Sequence, residues 1–138
     1  MRPPDAGGTS VWRIDGGRLE VALVVEGVGP SPRALTIIDR DVWVATSGDG
    51  RIHRIDGDAN SIEDSVRIGG TPRDVAGDGE FLYVTDREGD RLVTVDAQAE
   101  QVVERETVED GPLNVAVAED DLWVTRFDAG ELNRIPRR

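Results

Sequence analysis

Short apolar runs alternate with polar breaks along this chain, and the alternation is regular. VWVA, FLYV, LVTV and LWV are separated by clusters rich in glycine and aspartate. Aromatic and β-branched residues bounded by Gly and Asp predict strands joined by turns. No window carries an apolar stripe of period 3.6 over helix length. The pattern predicts an all-β chain.

The pattern also repeats. Pro32, Pro72 and Pro112 are forty residues apart, and so are Trp43, Tyr83 and Trp123, each followed by valine. VWVATSGDGRIHRID aligns without gaps with LYVTDREGDRLVTVD and LWVTRFDAGELNRIP, and VWRIDGG near the start echoes IHRIDGD. Each unit divides into four strands; in the second these are RDVAG, FLYVT, RLVTVD and QVVERETVE. VWVA and LWVT are apolar on both faces, as strands sandwiched between sheets are. VVERETV carries charge through its middle, as a half-solvated outer strand does. About forty residues and four antiparallel strands per unit is the size of a propeller blade. The expected division is a flexible lead-in over 1–10, a partial blade over 11–29, blades over 30–69 and 70–109, and a partial blade over 110–138.

LYVTDREGDRLVTVD, with VVERETVEDGPLNVAV after it, resembles the YVTN-type β-propeller repeat. The likeness runs from Val11 to Ile135 and concerns fold far more than activity. The asparagine usual after YVT is Asp86 here, with Thr46 and Arg126 at the equivalent positions. This variation places the three side chains in a tolerant turn with no fixed role. Virginiamycin B lyase and calcium-dependent lactonases stand on related propellers, so the resemblance admits a metal-dependent enzyme, with calcium or magnesium as cofactor. Their ligand sets come from several blades around a full channel and do not carry over to this chain residue by residue.

About three and a quarter repeats do not close a ring, since closed propellers take four to eight blades. The chain is therefore expected to belong to a longer protein or to be completed by self-association through its open edges, because unpaired strands invite pairing. RLEVALVVEG of one copy would meet ELNRI of another, and VWRID would be surplus in a six-bladed pair.

Charge narrows the partners. All sixteen basic residues are arginine, and the net charge is −12. That excess argues against nucleic acid and against an anionic membrane surface. No apolar run is long enough to span a membrane, and MRPPDAGGTS lacks the apolar core of a signal peptide. Cysteine is absent, which excludes disulfides and thiolate chemistry.

Candidate chemistry is sparse. His53, the single histidine, has no sequence neighbour that completes a nucleophile pattern such as G-x-S-x-G, and it reads as a partly buried strand residue. TSGDGR, TDREGDR and RFDAGE fail the EF-hand pattern and read as hairpin turns. Their glycines supply positive φ and their carboxylates a solvated rim. The residues after each proline vary in chemistry, and the strand they open is expected to line the channel. Arg33, Arg73, Asp74 and Asn114 are thus the candidate ligand-binding residues. The arginines suit a carboxylate or phosphate, and Asp74 with Asn114 suits a hard cation. The plainer reading is solvated loop decoration. The expected role is a binding module for a protein or small-molecule ligand, with a lyase or lactonase-like enzyme as the alternative.

Overall fold

The structure, a computed structural model, describes residues 9–138; residues 1–8 of the expected lead-in lie outside the described part. Thirteen strands and no helix make up the described residues, in four antiparallel sheets. A hairpin of β1 (Val11–Asp15) and β2 (Glu20–Val25) comes first. The first full blade follows, with β3 (Pro32–Ile38), β4 (Asp41–Thr46), β5 (Arg51–Asp56) and β6 (Ser61–Arg67). The second is β7 (Pro72–Gly77), β8 (Phe81–Asp86), β9 (Arg91–Asp96) and β10 (Gln101–Thr107). A three-stranded sheet, β11 (Pro112–Ala118), β12 (Asp121–Arg126) and β13 (Glu131–Pro136), ends the chain. Strands lie side by side in chain order within each sheet, and the innermost strands β3, β7 and β11 are neighbours across sheets. This is the all-β propeller pattern, and the ring is open.

Alternation along the second strand of each blade decides what faces what. In β8, Leu82 and Val84 point back to the first blade and join Trp43, Ala45 and Ile52 in one apolar core. Tyr83 points forward into a second core with Val115, Leu122 and Val124. A third core places Val11 and Val25 of the hairpin against Val44 and Ile55. Val28, Ile68 and Val108, also forty apart, seal the three junctions from the connecting loops and are all buried. The outer strand β10 is exposed over most of its length, as its charges predict.

The expectation that LWVT is buried on both faces fails on one side. Trp43 and Tyr83 are each 1% exposed, whereas Trp123 is 37% exposed. Among the described residues no sheet packs on the forward face of β12.

Turns are made by aspartates as much as by glycines. Asp15, Asp56 and Asp96 end the third strand of successive units, and each accepts two backbone amides of the following turn. This is the Asx-turn geometry. The amides of Ala59 and Asp58 hold the Asp56 carboxyl below its ordinary range.

Polar ties reinforce the junctions. Arg54 Nε donates to Glu100 across the first pair of blades at 2.8 Å, and Arg105 donates to the Ile68 carbonyl at 2.6 Å. At the next junction Arg137 donates to Asp78 Oδ2 at 2.9 Å, and the same oxygen accepts the Tyr83 hydroxyl at 2.8 Å. Burial pushes the Asp78 carboxyl up, but the amides of Phe81 and Glu80, the Tyr83 hydroxyl and Arg137 outweigh it, so Asp78 titrates below its ordinary range. Burial and the adjacent Asp78 push Tyr83 up to about 12. A carboxyl depressed by folding adds stability above its unfolded pKa, and that stability fades as pH falls through the folded value. Asp78→Asn should therefore lower the melting temperature at pH 7 and progressively less as pH drops below the carboxylate range. A pH series of melts checks this, and a deficit that stayed constant with pH would contradict it.

Candidate functional site

The loops after the prolines are built alike. Proline opens each innermost strand, where its missing N–H costs no ladder bond. A register shift follows between Pro32 and Ala34, between Pro72 and Asp74, and between Pro112 and Val115. The bulged residues are therefore Arg33, Arg73 and the pair Leu113–Asn114, whose side chains the bulge re-aims.

Of the four candidate residues, the structure brings Asp74 and Asn114 together and engages both in holding blades. Asp74 Oδ1 accepts the Val75 amide at 2.9 Å, while Oδ2 accepts the Val115 amide at 2.9 Å and Asn114 Nδ2 at 3.4 Å. Thr85 completes the junction, donating to the Leu113 carbonyl at 2.9 Å and accepting the Asp74 amide at 3.1 Å. Asp74 is a staple between neighbouring innermost strands. Arg33 Nε donates to Ser47 Oγ at 3.2 Å and is otherwise open to solvent. Arg73 Nε is sealed from solvent and lacks an acceptor among the described residues. Among the described residues no group of three acidic, histidine or cysteine side chains is placed to hold a metal.

His53 sits on β5, partly buried as expected, but a carboxylate does reach it. Its Nε2 lies 3.0 Å from Asp49 Oδ2 and 3.1 Å from Thr46 Oγ1, and Thr46 in turn donates to Asp49 Oδ1. The hairpin turn folds Asp49 back over the strand, which sequence separation did not reveal. Hydroxyl and carboxylate meet the same ring nitrogen here. A proton relay needs them on opposite nitrogens, so the cluster closes the β4–β5 turn instead of activating a nucleophile.

The reading of Asp86, Thr46 and Arg126 as tolerant turn positions is corrected. Asp86 and Thr46 are fully buried. Asp86 accepts the amides of Thr71 and Gly89 at 3.0 Å and two nitrogens of Arg91 at 2.8 and 3.2 Å. Arg126 pairs with Asp110 and Glu131 and donates to the Glu109 carbonyl. Asp86 and Arg126 tie their hairpins to the preceding loops, while Thr46, bonded to Asp49, the Arg51 carbonyl and His53, braces its hairpin from within. The carboxylate of Asp86 thus lies in the interior and not on a solvated rim. Gly89 also has a different reason from the one expected, because the left-handed residue of that turn is Asp90, at φ 51°. A Cβ on Gly89 would stand 2.2 Å from Asp86 Oδ2.

Two apolar surfaces complete the inventory. A cavity of about 540 Å³ lies between the β1–β2 hairpin and the first full blade, lined by Trp12, Leu35, Ile37, Val42 and Ile55. At the other end Trp123 and Leu132 stand exposed on the last sheet, and Arg134 lies over the Trp123 ring at 5.9 Å.

No family model matches the chain, and no curated protein matches it by sequence. Solved structures do match. Hydrazine synthase of Kuenenia stuttgartiensis superposes with a TM-score of 0.75 at 16% identity, over 96% of this chain and 44% of that one. The WD40 β-propeller domain of Doa1 gives 0.74 at 12% identity, over 87% and 42%. BamB from Moraxella catarrhalis gives 0.68 at 15%, over 94% and 38%. The chain spans less than half the length of each of them. Identities this low carry the fold alone. Sheet order, blade packing and these likenesses together establish that the chain is built as a stretch of β-propeller.

Proposed function

We propose that this chain is a β-propeller binding or protein-interaction module of the YVTN type, part of a longer protein or completed by self-association through its open strand edges. The observation that carries the reading is the apolar surface on the sheets, where Leu35, Ile37, Trp123 and Leu132 are 50%, 61%, 37% and 58% exposed. Apolar area of this kind marks association sites. The candidate cation ligands support binding chemistry poorly, since both oxygens of Asp74 are already engaged by backbone amides. The chain on its own is expected to self-associate. Light scattering across a micromolar dilution series tests this; a monomeric mass throughout, with a cooperative melt, would sink it.

The enzyme alternative makes a separate prediction. A metal-dependent lyase or lactonase-like site would raise the melting temperature with calcium or magnesium, by mass action on the folded state. The expected result is no shift with either ion. Asp74→Ala is a poor probe of that question, because it frees the Val75 and Val115 amides and should weaken the fold by about 1–3 kcal/mol whether or not a metal binds.

A further inference from the structure

Arg73 differs from the other arginines in its surroundings. It is half-buried at the bulge that opens β7, and its guanidinium has no hydrogen bond or ion pair among the described residues. Every other half-buried arginine among them meets a side-chain acceptor, a hydroxyl for Arg51 and carboxylates for the rest. The carboxylates best placed to balance Arg73 are engaged elsewhere. Asp74, next in the strand, accepts the Val75 and Val115 amides, and Asp86, opposite Pro72 in the ladder, holds Arg91. Repeats of this kind touch only their neighbours. Innermost strands flank β7 on both sides, β3 and β11, so the charge is not left unpaired by an uncovered blade face.

Only the Nε of Arg73 is sealed from solvent; its two terminal nitrogens are not. A sealed Nε fixes the plane of the group, so the terminal nitrogens present two N–H donors side by side in one orientation. That fork matches the two oxygens of a carboxylate. We infer that Arg73 binds the carboxylate group of a ligand where the innermost strands begin, with Arg33 as a second positive charge beside it. This rests on the binding-module reading and names the class of its ligand. Arg33 holds the same repeat position on β3, and its one bond among the described residues runs from Nε to Ser47. The net charge of −12 selects a singly charged carboxylate over a phosphate dianion, which the chain repels about twice as strongly. A sealed donor without an acceptor also costs stability, and an apolar side chain of similar length would not.

The test titrates the chain with sodium acetate, ionic strength being held with sodium chloride, and follows the backbone amide signals of Asp74 and Val75 by NMR. Acetate should shift them saturably, with half-saturation at about 10–100 mM. Arg73→Lys keeps the charge but loses the fork, and should weaken acetate binding at least tenfold. Arg73→Met should abolish the saturable shift and melt no lower than wild type in chloride; Arg73→Gln takes its place in the titration if it does not fold. Acetate acting no differently from chloride would mean an arginine whose stem packs and whose head is merely solvated, and would overturn the site. A saturable shift that survived Arg73→Met would overturn it too, and saturation by phosphate but not by acetate would overturn the carboxylate assignment. None of these results moves self-association, on which the dilution series decides the module reading separately.

Discussion

Trp43→Ala is expected to cost about 3–5 kcal/mol of folding stability, while Trp123→Ala should cost about 1 kcal/mol or less. Both residues sit at the same place in the repeat, on the second strand of a blade and followed by valine. Truncating Trp43 empties the middle of the core between the two full blades, where Ala45, Ile52, Leu82 and Val84 surround it. Strands on both sides hold those neighbours, so the site collapses little and the cavity term is felt in full. Truncating Trp123 removes a ring that one sheet and Arg134 touch and that water already reaches. Urea melts run over a dilution series separate this intrinsic difference from association, since an associating chain has a concentration-dependent midpoint. Equal losses in dilute samples would mean that the last sheet is covered within a single copy, and the open-arc account would fail.

That difference marks where sequence reading stopped. Proline and aromatic spacing placed all four strands of each unit, because blade strands alternate in burial and the turns between them need residues with special backbone freedom. The same periodicity treats every copy alike. It could not show that Trp123 is bare, since burial of a repeat depends on its neighbour and not on its own residues. Val28, Ile68 and Val108 were visible at forty-residue spacing, but each is a single apolar residue in a polar loop, too little for a pattern to register. The candidate site was harder still. Arg33, Arg73, Asp74 and Asn114 do stand at the bulges after the prolines, yet nothing in their spacing shows that Asp74 spans two blades, because its partner amide lies 41 residues away. Asp49 and His53 are four apart across a turn whose fold decides that they touch.

Buried Asp86 holds two backbone amides and Arg91 at once. Asp86→Ala should cost about 2–4 kcal/mol, since it strands the Thr71 and Gly89 amides and leaves the Arg91 guanidinium unpaired in a partly buried pocket. Asp86→Asn should cost about half as much: the amide oxygen still accepts from the backbone while the charge on Arg91 goes unmatched. The milder loss would also explain why asparagine is usual at this position in the repeat that the chain resembles. The carboxylate fills space as well as bonding, for a Cβ on Gly70 would lie 2.3 Å from it. Gly70→Ala should thus be destabilising even with Asp86 intact, and more so because Gly70 sits at φ 58°. Chemical denaturation of the three variants beside wild type decides the matter. If Asp86→Asn lost as much as Asp86→Ala, the ion pair with Arg91 would be what holds the junction, and the account in which the buried oxygen anchors two backbone amides would have to be abandoned.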